Sequence, residues 1–68
     1  MNKEAIFYTI DDYLDNINIC SVALQNDHLD KKTENKILLN MEKTANKLVH
    51  AVEELKREMK GCTQGVND

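Results

Sequence analysis

The sequence predicts an all-α fold, an antiparallel two-helix hairpin that dimerises into a four-helix bundle. From Leu38 to Met59 the apolar residues recur at alternating steps of three and four, the spacing of a heptad seam on one helix face. The 68 residues include no proline, and both glycines, Gly61 and Gly65, lie near the end. No alternating apolar run and no Asn-Gly or Asp-Gly turn indicates a β-strand or a β-hairpin.

The first helix is expected over residues 3–26. Asn2 is a suitable N-cap residue, and the Glu4 carboxylate suits the positive end of a helix. One apolar stripe follows at helical spacing: Ile6, Ile10, Tyr13, Ile17, Cys20 and Leu24. Phe7 and Leu14 widen this stripe on one flank, which is typical of a helix packed in a bundle.

The second helix is expected over residues 30–60. The polar segment from Asn26 to Thr33 is rich in residues that favour turns and caps, and Asp30 is the expected N-cap. Basic residues suit the negative end of this helix, and Gly61 suits the position just beyond it. Residues 1–60 thus form the predicted hairpin, and we expect residues 61–68 to be a flexible tail.

A single continuous helix is the alternative, because both stripes share one heptad frame. Continuing the first stripe through the connection places Asp27, Lys31 and Glu34 on the seam. Such a helix would be a rod of about 90 Å at 1.5 Å per residue. The three consecutive charged seam positions, and the cap-forming residues around them, favour the hairpin.

Charge and cysteine content bound the class of protein. The formal net charge is −3, with −4 in residues 1–27, +2 in residues 28–60 and −1 in residues 61–68. An acidic half beside a basic half favours side-by-side packing, although exposed ion pairs contribute only about 0.2–1 kcal/mol each.

No apolar run approaches the roughly 20 residues of a membrane span. No secretory-signal pattern is present, so we expect a cytoplasmic protein in which Cys20 and Cys62 are free thiols.

The available residues disfavour enzymatic and metal-dependent functions. His50 with Glu53 and Glu54 has a spacing that metal ligands use, but His50 is expected on the surface, away from the seam. Cys20 lies on an acidic helix, whereas a reactive thiol needs electropositive surroundings. No phosphate-binding glycine loop and no serine beside a base is present. We therefore expect no catalytic residue, no metal site and no cofactor.

The back of the first helix is a candidate contact surface for another protein. It consists of Tyr8, Asp11, Asp12, Asp15, Ile19 and Val22. At helical spacing these residues fall opposite the main stripe. Apolar side chains among carboxylates fit a target with an apolar groove and a basic rim, whereas ordinary surface scatter is the alternative interpretation. The sequence thus favours a small protein-binding regulator or inhibitor.

Self-association is expected because a two-helix hairpin leaves apolar residues uncovered. A homodimer would cover the flanks of both stripes and the overhanging end of the longer second helix: Phe7, Leu14, Ile37, Val49, Leu55 and Met59. An RNA-binding hairpin dimer is the alternative of a different class, by analogy of architecture alone. Lysines interspersed with glutamates disfavour nucleic-acid binding, because phosphates attract clustered basic residues. A chaperone-like partner of a larger protein stays open within the protein-binding class.

Overall fold

Two helices packed against each other form the described part of the protein. A computed structural model describes the backbone of residues 2–62 and the side chains of residues 2–60. Helix α1 spans Lys3–Leu24 and helix α2 spans Lys31–Cys62. The helices contact each other extensively, so the predicted all-α helical hairpin is confirmed. The longest dimension is 54 Å, which excludes a continuous rod of about 90 Å.

Both predicted N-caps are confirmed. Asn2 has an extended backbone, and its side-chain Oδ1 accepts a hydrogen bond from Ala5 N at 2.8 Å. Asp30 Oδ1 accepts a hydrogen bond from Thr33 N at 3.2 Å. Each cap satisfies a backbone N–H group that has no acceptor within its helix, and thereby fixes where the helix begins.

The two helices end two residues away from their expected ends. Helix α1 stops at Leu24, because the N–H groups of Gln25 and Asn26 bond to carbonyls three residues back and tighten the last turn. Helix α2 continues through Gly61 to Cys62, so the placement of Gly61 beyond the helix is wrong. Glycine tolerates the helical conformation as well as the left-handed one, so its presence alone does not end a helix. Of the predicted tail, residues 63–68 lie outside the described residues.

The predicted stripe of α1 faces α2. Ile6 and Cys20 are buried, and Ile6 is only 1% exposed. The other members of the stripe are partly buried: Ile10, Tyr13, Ile17 and Leu24. Helix α1 therefore contributes large apolar side chains to the contact between the helices.

On α2 the residues that face α1 are rotated by one position from the predicted stripe. Thr44 and Ala51 are buried, at 4% and 6% exposure. Four residues of the predicted stripe are partly buried: Met41, Ala45, Leu48 and Leu55. Leu38 and Val52 are 47% and 41% exposed, so their placement on the seam between the helices is wrong. Met59, which the sequence predicts to extend beyond the start of α1, is 44% exposed.

Polar and small side chains account for this rotation. Asn16 Nδ2 of α1 donates a hydrogen bond to Thr44 Oγ1 of α2 at 2.8 Å. A partly buried amide without a partner is unfavourable by about 1–3 kcal/mol, so the pairing favours turning Thr44 inwards. The buried Ala51 is small, so it leaves room for the larger side chains of α1.

Side-chain contacts also define the register of the hairpin. Asn16 contacts Thr44, and Cys20 Sγ lies 3.8 Å from Asn40 Nδ2. In both pairs the two residue numbers have an average of 30. The hairpin therefore turns about position 30, within the polar segment that the sequence predicts to connect the helices. In this register Leu55 lies level with Ala5 and is partly buried. The expectation that Leu55 overhangs the start of α1 is wrong.

Candidate functional site

The outer surface of α1 consists of the six residues that the sequence analysis grouped together: Tyr8, Asp11, Asp12, Asp15, Ile19 and Val22. All six are exposed, and Tyr8, Ile19 and Val22 are 68%, 65% and 61% exposed. Their spacing of three and four residues places them along one line of the helix, opposite α2. The line extends for about 21 Å from Tyr8 to Val22 at 1.5 Å per residue.

The chemistry of this outer surface combines apolar and acidic groups. Tyr8 lies at one end and Ile19 with Val22 at the other, with the three aspartates between and beside them. No basic residue belongs to the line, and α1 carries one Lys against four acidic residues, a net charge of −3. Apolar side chains can supply contact energy there, while the carboxylates can orient a basic partner.

A second apolar surface lies along one side of the hairpin, and we term it the open side. It consists of Phe7 and Leu14 of α1 with Leu38, Val49, Val52 and Met59 of α2. Each of these side chains is 41–54% exposed. Each also borders a partly buried or buried neighbour, so the open side continues the apolar contact between the helices outwards.

Helix handedness brings the two halves of the open side together. Phe7 follows the buried Ile6 by one residue, and Val52 follows the buried Ala51 by one residue. Because both helices are right-handed and they run antiparallel, a step of one residue from the buried position leads to the same side of the pair in each helix. The open side is therefore one continuous surface shared by α1 and α2.

The structure divides the residues predicted for self-association between two locations. Phe7, Leu14, Val49 and Met59 lie on the open side and are exposed. Ile37 and Leu55 are partly buried in the face of α2 that packs on α1. Sequence reasoning missed Leu38 and Val52 as members of the open side, because it assigned them to the core. The sequence does contain a sign of this exposure. Thr44 and Ala51 extend the apolar stripe of α2 on the flank away from Leu38 and Val52, which makes the stripe wider than one neighbouring helix covers.

The opposite side of the hairpin is polar. Asn16 and Asn40 line it, and they contact the buried Cys20 thiol: Cys20 Sγ lies 3.8 Å from Asn16 Oδ1 and 3.8 Å from Asn40 Nδ2. Among buried side-chain N and O atoms in the described residues, none lacks a hydrogen-bond partner. The hairpin is thus amphipathic across its width as well as along each helix.

The two histidines lie apart from both apolar surfaces. His50 Nδ1 lies 3.6 Å from Glu53 Oε1 on the exposed face of α2, and His28 lies in the connection with its N–H donating to Asn26 Oδ1. Within the described residues, no three Cys, His, Asp or Glu side chains form a group that could hold a metal ion. Cys20 is buried and is not part of a disulfide.

Comparison of the chain with known protein families, curated proteins and solved structures yields no match. Neither helix in the described part of the chain is both long and apolar enough to cross a bilayer.

Proposed function

We propose that the protein is a small, non-enzymatic regulator or inhibitor that binds another protein through the outer surface of α1. The observation that carries this proposal is the high exposure of Tyr8, Ile19 and Val22 on the side of α1 facing away from α2. Within residues 2–60, α2 packs on the opposite side of α1 and leaves this side exposed. Single exposed apolar residues need no explanation, but three on one line beside three aspartates support a contact surface.

The chemistry of the outer surface defines the partner that fits it. Tyr8 is a rigid amphipathic anchor, and Ile19 with Val22 presents an aliphatic patch about three helical turns away. A target groove lined by apolar side chains would bury both ends of this line. Lys or Arg side chains on the rim of the groove would pair with Asp11, Asp12 and Asp15, which mainly raises the association rate. Occupying such a groove would block its use by other ligands.

We also propose that the protein is a cytoplasmic homodimer, assembled as a four-helix bundle through the open side. Among residues 2–60 the hairpin buries only Ile6, Cys20, Thr44 and Ala51. So small a core rarely stabilises a chain of this length alone. Six half-exposed apolar side chains on one side support burial against a second copy. The cytoplasm would keep the Cys20 thiol reduced.

The proposed target surface is tested by affinity capture with matched charge substitutions. Wild type, Ile19→Asp and Leu39→Asp are used as bait in extracts of cells that express the chain. Leu39 is a suitable control because it is also exposed, at 53%, but lies on α2. We expect both wild type and Leu39→Asp to retain the same target protein. The affinity of that target for Ile19→Asp should be about 30-fold lower, because a charge in a binding hot spot costs about 2 kcal/mol or more.

Two results would contradict this proposal. Retention by Ile19→Asp with loss by Leu39→Asp would move the binding site to α2. Retention of RNA alone, with an affinity that falls steeply as salt rises, would instead support the RNA-binding alternative. For a protein target, replacing the three aspartates by asparagine should slow association and flatten its salt dependence, with a smaller effect on dissociation.

A further inference from the structure

We propose that the two hairpins of the dimer pack with both connections at the same end, so that α1 of each copy contacts α2 of the other. This inference rests on the self-association proposed above and specifies its geometry. It determines where the two target-binding surfaces lie in the assembled protein.

The open side has a size that suits a second copy of the chain. Its six side chains are each about half exposed, and they extend from Phe7 at one end of α1 to Leu38 near the connection. Two such surfaces bury on the order of 1,000 Å² together, close to what stable specific interfaces need. A two-fold axis lets the same apolar rows cover each other without any foreign surface.

Only two two-fold arrangements bring the open sides face to face. With the axis parallel to the helices, both connections lie at one end, and α1 lies over α2 of the partner. With the axis across the helices, the connections lie at opposite ends, and α1 lies over α1 of the partner. In both arrangements neighbouring helices are antiparallel, so packing geometry alone does not choose between them.

The net charges of the two helices favour the first arrangement, in which both connections lie at the same end. Helix α1 has one basic and four acidic residues, a net charge of −3, whereas α2 has eight basic and five acidic residues, a net charge of +3. With the connections together, every neighbouring pair in the bundle joins an acidic to a basic helix. With the connections apart, two of the four neighbouring pairs join helices of like charge. Interfaces use such complementarity to fix register and exclude the alternative.

One pair of flanking residues is consistent with this register. A two-fold axis parallel to the helices keeps α2 of the partner level with α2 of the same hairpin. Positions that sum to about 60 are level in this hairpin, as the Asn16–Thr44 contact shows. Glu4 is therefore level with Lys56 of the second copy, and both are exposed at the margin of the open side. Their charges are opposite, as the arrangement requires.

The arrangement separates the two target-binding surfaces. When α1 lies over the partner's α2, the two α1 helices occupy diagonal corners of the bundle. Their outer surfaces then face opposite directions, and each binds a target independently. With the connections at opposite ends, both α1 helices would instead lie on one face and form a single joint acidic surface. The inference therefore implies two separate targets per dimer.

Spin-label distances test the arrangement directly. A nitroxide is attached at position 28 in a His28→Cys, Cys62→Ser protein, and sedimentation first establishes its mass. Cys20 stays in place because it is only 5% exposed, and the Cys62→Ser protein alone is the labelling control. We expect a dimer with a label-to-label distance of about 20–30 Å, two to three helix diameters. A mixed dimer of copies labelled at position 28 and, through Lys60→Cys, at position 60 should give a long distance.

The possible outcomes separate the inference from the function it rests on. A dimer whose labels at position 28 are separated by a distance near the 54 Å length of the molecule overturns the arrangement but leaves the self-association intact. A monomer overturns both. A short distance between labels at position 28, with a long distance in the mixed dimer, supports the arrangement.

Discussion

At the scale of single residues, Asp30 shows how a polar side chain fixes an element. It follows the connection and caps α2, accepting hydrogen bonds from the backbone N–H and the side chain of Thr33. These hydrogen bonds stabilise the carboxylate and lower the pKa of Asp30 below its ordinary value. The cap thus couples the start of α2 to pH.

We predict that the Asp30 cap stabilises the protein more above about pH 4 than in acid. A lowered pKa in the folded state means stability that is present above the unfolded value and lost as pH falls through the folded value. Asp30→Ala should therefore lower the melting temperature at pH 7, and this difference should shrink in acid, where the protonated carboxyl is only a neutral acceptor. Asp30→Asn keeps an acceptor and should remove most of the pH dependence. An equal difference at pH 7 and in acid would show that the carboxylate is not the stabilising group.

Individual residues differed in how far the sequence revealed them. Both N-caps were predictable, because Asn and Asp before a helical segment have a specific chemical role there. The exposure of Tyr8 and Ile19 was predictable from helical spacing alone. Burial of Thr44 was not, because it depends on Asn16, which is distant in sequence and donates to it across the helices.

At the scale of elements, the face that each helix presents depends on its partner. The stripe of α1 is narrow, and its orientation followed directly from its periodicity. The apolar face of α2 is three rows wide, and a single neighbouring helix covers only two of those rows. Periodicity identifies the wide face, whereas side-chain pairing across the contact decides which rows are covered. The row with Leu38 and Val52 is left exposed for that reason.

We predict that replacing the small, buried Ala51 by a larger residue destabilises the hairpin. Ala51 is buried against α1, so Ala51→Leu should cost about 1–3 kcal/mol through overpacking. Ala5→Leu is the control, because Ala5 is exposed near the start of α1 and the change should be within about 0.5 kcal/mol. Urea unfolding followed by circular dichroism measures both. Unchanged stability of Ala51→Leu would show that position 51 does not face α1.

At the scale of the whole molecule, the hairpin has a separate surface for each proposed interaction. The open side is apolar and crosses both helices, whereas the outer surface of α1 is acidic and belongs to one helix. The polar side carries the Asn16–Thr44 hydrogen bond that orients α2. Assembly through the open side would leave the outer surfaces accessible to a target.

Sedimentation equilibrium of three proteins tests this division most directly. We expect wild type to sediment at twice the chain mass, Val52→Asp to sediment as a monomer, and Ile19→Asp to remain a dimer. A charge at position 52 would be buried in the dimer without a partner, whereas a charge at position 19 would remain in solvent. A monomeric Ile19→Asp protein, or a Val52→Asp protein that remains dimeric, would show that the two surfaces do not have these separate roles.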